Sequence, residues 1–255
     1  MRIQDHIIAE TEDYIVVNKP AGLLTIQDRH DSEIPALLTL LRKLYRDIFT
    51  VHRLDKDTSG VLVFARHEEA HKYFSQLFEG RQVKKFYLGL VHSQPEPPVG
   101  SIKVPIMEHP VQKGKMVTNA KGKPSHTDYE TLETFGQYSL VRMQIHTGRT
   151  HQIRVHMKHV GHPIVVDELY GSPKGIYLSA IKKKYKMGKF TEEERPLLGR
   201  LGLHAWQLHF TDMSGKEMVV EAPLPKDIQA VLTQLRKRGG GSAAVSAVVQ
   251  EDQGE

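Results

Sequence analysis

One stretch, residues 51–65, constrains the fold of this chain more than any other: Val51-His52-Arg53-Leu54-Asp55-Lys56-Asp57-Thr58-Ser59-Gly60-Val61-Leu62-Val63-Phe64-Ala65. Its polar part ends at Gly60, and an unbroken apolar run follows. An apolar run of this length bounded by a turn signal reads as a buried strand. Asp55 then stands on a loop carried by a rigid sheet, where reactive side chains are commonly displayed. The same residues also suit an Asx-type turn, with Asp55 and Thr58-Ser59 bonding their own backbone. Residue chemistry alone leaves both readings open.

Around this stretch the hydrophobic pattern alternates between strand and helix periods. Strands are expected over 14–17, 86–91, 129–135, 138–146, 203–211 and 217–221. Gly136-Gln137 and Ser214-Gly215 supply the turns of two hairpins. Helices are expected over 33–46 with Ser32 as cap, over 68–79 stopped by Gly80, over 150–160 stopped by Gly161, and over 226–237. There is no internal repeat and no linker-like segment within 1–225, so the pattern describes one α+β domain over 1–238. From Gly239 the chain turns Gly-, Ser- and Ala-rich and then acidic, and 239–255 is expected to be a disordered tail.

Composition narrows the function classes. There are no cysteines among the 255 residues, which excludes disulfides, iron–sulfur clusters and thiolate zinc sites. No run of 18 apolar residues suggests a membrane span, and Met1 to His6 lacks the apolar stretch of a secretory leader. The formal net charge is +5, but the tail holds three acids and no Lys or Arg, so residues 1–238 carry 35 basic against 27 acidic residues, or +8. That surplus suits a polyanionic partner.

His52-Arg53-Leu54-Asp55 followed by Thr58-Ser59-Gly60 resembles the signature of the RluA-type pseudouridine synthases. A second match lies at Thr147-Gly148-Arg149-Thr150-His151-Gln152-Ile153-Arg154-Val155-His156, continuing to Gly161-His162-Pro163-Ile164. Shorter matches are Asn18-Lys19-Pro20-Ala21-Gly22, Lys85-Phe86-Tyr87 and Leu203-His204-Ala205. The resemblance covers nearly the whole chain. It implies a mixed, mostly antiparallel sheet with a central catalytic groove and flanking helices. Many members of that family carry a small RNA-binding module ahead of the catalytic domain; here the family's first strand begins near residue 7, and no such module is expected. The resemblance also implies an isomerase that turns uridine into pseudouridine in ribosomal or transfer RNA, without a cofactor, on a flipped-out base. We expect the protein to act as a monomer in the cytoplasm.

By the same resemblance Asp55 is the essential carboxylate, attacking the sugar or the base or removing a ribose proton. Arg154 is carried over as its ion-pair partner, since a nearby arginine keeps a carboxylate ionised and oriented. Tyr87 stacks near the uracil and is a candidate for proton transfer, although a tyrosine in such a strand also serves as core. Leu203 supplies an apolar wall. Arg53 holds the extruded nucleotide, and His52 is either a substrate contact or a structural histidine. Asp57 is expected to be solvated or to shape the turn.

Two further features stand out in the sequence. His151, His156, His159 and His162 invite a metal site, but their spacing fits no familiar ligand set, and none is expected. Lys182, Lys183, Lys184 and Lys186, interleaved with Tyr185, form either a solvated loop or a phosphate-contact surface. The rival classes are a retaining glycoside hydrolase, which needs a second carboxylate about 5 Å from Asp55, and an inactive RNA-binding protein that kept the fold.

Overall fold

The computed structural model describes residues 2–28, 33–182, 185, 193–238 and 242–243. After a short 3₁₀ turn at Ile3–His6 come β1 (Ile7–Glu10), β2 (Tyr14–Lys19), α1 (Leu37–Leu41), β3 (Phe49–Thr50), β4 (Ser59–Ala65) and α2 (Glu68–Glu79). The middle of the chain supplies β5 (Lys84–His92), β6 (Val99–Ile102), β7 (Ile106–Glu108), β8 (Met116–Thr118), β9 (Thr127–Thr134), β10 (Tyr138–Ile145) and α3 (Gln152–His159). Then follow α4 (Leu178–Ile181), β11 (Leu203–Thr211), β12 (Glu217–Glu221), α5 (Lys226–Lys237) and β13 (Ser242–Ala243).

Among the described residues eleven strands form one sheet along the path β1-β2-β4-β11-β5-β10-β9-β13, with β3, β6 and β12 attached to β4, β9 and β11. Every pairing in it is antiparallel except β4 with β11. This is the mixed, mostly antiparallel sheet of an α+β fold. The apolar run after the polar stretch becomes β4, buried along its whole length, as a central strand covered on both faces must be.

Strand periodicity divides the core. In β5, Tyr87 and Val91 face one apolar cluster while Leu88 and Leu90 face another, because successive side chains leave opposite faces of a strand. The first cluster receives α2 through Ala70, Phe74 and Leu77. There Tyr14, Phe74 and Phe210 pack edge to face, with ring centroids 5.3 to 5.6 Å apart, a geometry their ring quadrupoles favour. The second cluster receives α5 through Ile228, Val231, Leu232 and Leu235, whose spacing makes one helix face.

Three expected elements differ. The helix over 33–46 is reduced to Leu37–Leu41, and its proposed cap, Ser32, lies outside the described residues. Ala36 is extended and bridged to Leu24, with Leu37 N donating to Leu24 O at 2.8 Å. Pro35 also disfavours helix in the residue before it. The helix over 150–160 begins at Gln152 because His151 takes the left-handed conformation, φ 53°. Within the expected tail, Ser242–Ala243 pair with Thr134 and Glu133 of β9, satisfying backbone groups on an otherwise open edge. The remainder of 239–255 lies outside the described residues.

Candidate active site

The site forms where β4 and β11 run parallel, His204 opposite Ser59 and Ala205 opposite Gly60. Parallel pairing puts the loop before β4 and the start of β11 at the same end of the sheet. The two backbones meet closely at Gly60, whose φ is +122°. A Cβ there would collide with the Ala205 carbonyl oxygen and lie 2.6 Å from Ala205 N. Only glycine meets both demands.

The loop carrying Asp55 is pinned from below. Lys19 Nζ donates to the carbonyls of Pro20, Leu23 and Lys56 at 3.0, 2.8 and 2.9 Å. Thr25 exchanges two bonds with the Leu54 backbone, at 2.9 and 3.1 Å. The loop does turn, but through Thr58 N donating to the Asp55 carbonyl at 3.2 Å. That leaves the Asp55 carboxylate out of the turn and directed into a cleft. Sequence reasoning passed over Lys19 as a positioning group; a lysine ending an apolar strand at a Pro-Ala-Gly turn was the available signal.

The cleft has a volume of about 270 Å³. Arg53, Asp55, Tyr87, Arg149, His151, Arg154 and Leu203 line it, with apolar surface from Leu54, Ile145 and Ile153. Asp55 is the one carboxylate among its described lining residues. Two neighbouring hollows open from it, and Arg53, itself exposed, borders all three. The expected residues Asp55, Tyr87, Arg154, Arg53 and Leu203 therefore come together.

Arg154 corrects one expectation. Its Nε and Nη2 donate to the two oxygens of Asp167, both at 2.8 Å, so its carboxylate partner is Asp167 and not Asp55. Both side chains are buried, and Asp167 also accepts from the backbone N–H groups of Leu169 and Tyr170 at 3.0 Å. The Arg154 guanidinium sits over the Tyr170 ring, 5.0 Å from its centroid. Burial demands such complete pairing of both charges. Asp55 acts on Arg154 through its charge, helping Asp167 to hold the guanidinium protonated despite burial. The sequence signal for Asp167 was an acid, followed by Glu168, directly closing the apolar run Pro163-Ile164-Val165-Val166.

The close side-chain neighbour of Asp55 is instead His151, whose Nε2 stands 4.0 Å from the carboxylate. The ring is aimed there by the left-handed backbone at His151 and by Tyr170, whose hydroxyl lies 2.8 Å from Nδ1. That hydroxyl accepts from Met116 N at 2.8 Å, so its proton is free for Nδ1, leaving the Nε2 proton facing Asp55. Burial lowers the His151 pKa while the Asp55 charge opposes the shift.

Tyr87 is buried, and burial, reinforced by the Asp55 charge, raises its pKa well above the ordinary value. It enters the cleft as a phenol. His52 takes the structural alternative: its Nε2 accepts from Val63 N at 3.1 Å, and its ring stacks on Phe78 at 4.2 Å. Burial, with Lys85 nearby, pushes its pKa down to about 3, consistent with a lone pair that must stay unprotonated. Asp57 is exposed. The other three histidines of the 151–162 set point apart: His156 bonds Thr127 and Val104, His159 lies beside Thr118, and His162 faces the His92 carbonyl. Lys182 is exposed, and Lys183, Lys184 and Lys186 lie outside the described residues.

A family described as RNA pseudouridylate synthase matches residues 13–159. An uncharacterized RNA pseudouridine synthase of Chloroflexus aurantiacus is 38% identical over 230 residues, covering 87% of this chain and 66% of that protein. Ribosomal large subunit pseudouridine synthase D of Nitrosomonas europaea is 37% identical over 238 residues, covering 90% of this chain and 65% of the relative. The chain thus spans about two thirds of the length of these relatives. Ribosomal large subunit pseudouridine synthase C of Escherichia coli is 34% identical over 92% of this chain and 71% of its own length. A solved structure titled human RNA pseudouridylate synthase domain containing 4 superposes with a TM-score of 0.72 at 27% identity, covering 92% of this chain and 94% of that one.

Proposed function

Since the chain belongs to the RNA pseudouridylate synthase family, we propose that it is an isomerase that converts uridine to pseudouridine in ribosomal RNA, with Asp55 as its essential carboxylate. The observation that carries the reading is the single carboxylate of the cleft, set among Tyr87, His151 and Arg154 with Arg53 at the rim. The reaction breaks the bond from ribose C1′ to uracil N1 and forms one from C1′ to C5. The C5 proton leaves and N1 gains one, so no electrons are exchanged and no redox cofactor is demanded.

Asp55 attacks the sugar or the base, or removes a ribose proton, during the cleavage step. Leu203 and Ile145 offer apolar surface to the base, and Tyr87 stands beside it. Walls of this kind limit the water that would otherwise capture the detached base. Arg53 occupies or clamps the place left by the target nucleotide as it leaves its stack. The names of the relatives favour ribosomal over transfer RNA. A retaining glycosidase is disfavoured because it needs a second carboxylate about 5 Å away, and the described lining offers none.

The test is to map pseudouridine in total RNA from cells with and without the gene, then to restore lost positions with the purified protein. Loss and restoration at ribosomal uridines supports the proposal; restoration in transfer RNA alone moves the substrate. An unchanged map, with purified protein inert on both RNAs, overturns it. Arg53→Ala should lose more activity on structured RNA than on a short unstructured oligonucleotide, and equal losses would remove extrusion as its role.

A further inference from the structure

Away from the cleft, His126, Asp128 and His146 bring three metal-ligating side chains together. His126 directly precedes β9 and Asp128 is its second residue, so the two-residue period of a strand puts both on one face. The antiparallel register with β10 puts His146 opposite His126, where His146 N donates to His126 O at 3.1 Å. From the other side β6 sets Ser101 opposite Asp128. Asp128 Oδ1 lies 2.9 Å from His126 Nε2, and Oδ2 lies 2.6 Å from His146 Nε2. Ser101 Oγ is 2.9 Å from His126 Nε2. The imidazoles stack with centroids 4.1 Å apart.

We propose that His126 Nε2, His146 Nε2 and one Asp128 oxygen form a binding site for a divalent transition cation of the zinc class. One ligand atom from each residue already falls within 4.8 Å of the others. Donors on a tetrahedral zinc stand roughly 3.3 Å apart, given bonds near 2.0 to 2.1 Å, so small side-chain rotations complete the set. Two imidazoles and a carboxylate favour zinc, cobalt or nickel over magnesium or calcium. The side chains are 29%, 42% and 37% exposed, so the ion can enter, and water or Ser101 can take a further position. Without a cation, both rings must direct protons at one shared carboxylate; with one, both present lone pairs.

None of the three residues lines the cleft, so the ion would not meet the reacting atoms. It would fasten the root of the loop that builds them. His126 N donates to Thr147 Oγ1 at 3.0 Å, Thr147 Oγ1 donates to Gln152 Oε1 at 2.6 Å, and Gln152 Nε2 returns to His126 O at 2.9 Å. This ring of bonds encloses the segment that supplies Arg149 and His151 to the cleft. The site is therefore a clamp at the base of the 147–152 loop.

The test uses the tag-free full chain, titrated with zinc chloride by calorimetry and with cobalt chloride by visible absorption. One saturable ion per chain is expected. His126→Gln, Asp128→Asn and His146→Gln should each weaken binding by at least about tenfold, while His159→Gln should leave it unchanged. X-ray absorption on the zinc-loaded wild-type protein reads the ligands without any variant and should show two imidazole nitrogens. Absence of saturable binding, binding by the three variants as tight as by the wild-type protein, or a zinc spectrum lacking two imidazoles overturns the proposal.

Discussion

Two carboxylates separated in sequence by more than a hundred residues, Asp55 in the cleft lining and Asp167 outside it, sit in opposite environments. Asp167 is buried and fully bonded, whereas Asp55 is partly exposed with His151 as its close neighbour. Asp55→Asn should reduce single-turnover pseudouridine formation by at least about a thousandfold, within the span for loss of an acid–base group. RNA affinity by filter binding should stay within about twofold, because phosphate contacts dominate it. Near-normal turnover by that variant would remove Asp55 as the essential group. Arg154→Ala acts differently, since it strands the Asp167 charge in the interior. Breaking a buried pair from one side costs about 3–5 kcal/mol, which urea unfolding should show as a lower midpoint. Activity of Arg154 variants is interpretable only beside that measurement. Arg154 was legible in the motif as a residue, but its partner was not. Asp167 belongs to no motif and is found only by asking how an acid at the end of an apolar run is kept charged.

At the level of elements, β4 was legible as an unbroken apolar run after a turn signal, and α2, β11, β12 and α5 as apolar patterns beside turn or stop residues. The helix over 33–46 was misjudged: its apolar spacing is helical, but Pro35 and the Leu24 bridge fix the backbone before it starts. Gly60 was legible only as the end of a polar stretch, while its true constraint comes from Ala205, far along the chain. Two glycine substitutions separate these causes. Gly136→Ala meets open space at φ +76° and should cost about 1 kcal/mol, the penalty of a left-handed backbone alone. Gly60→Ala adds a clash with the Ala205 backbone and should cost at least about 3 kcal/mol, in the range of severe core disruption. Equal thermal midpoints for the two variants would show that β4 and β11 are free to part.

For the molecule as a whole, two histidines held in the uncharged form, His204 buried and His52 half-buried, set an acid limit. His52 is pushed to about 3 by burial and Lys85, and His204 to about 4 chiefly by burial, against an ordinary value of 6.5. Between those values and 6.5 the unfolded chain binds more protons than the native one. Stability therefore rises with pH across this window and is lost as the pH falls below about 6.5. Each histidine contributes a slope approaching about 1.4 kcal/mol per pH unit. Urea unfolding at pH 7, 5.5 and 4.5 should show the decline, and His52→Asn should make it shallower; parallel curves for the two proteins would exclude His52. The β4–β11 pairing has a consequence of another kind. Ser59 and His204, which bond each other at 2.9 Å across that pairing, are 145 positions apart. Contacts so distant in sequence close late, after local hairpins and helices have formed. During synthesis the segment bearing Asp55 leaves the ribosome long before Leu203 does. The nascent chain thus carries the Asp55 segment through the synthesis of all the intervening residues without the wall against which a base would rest, and it gains that wall only once Leu203 has emerged.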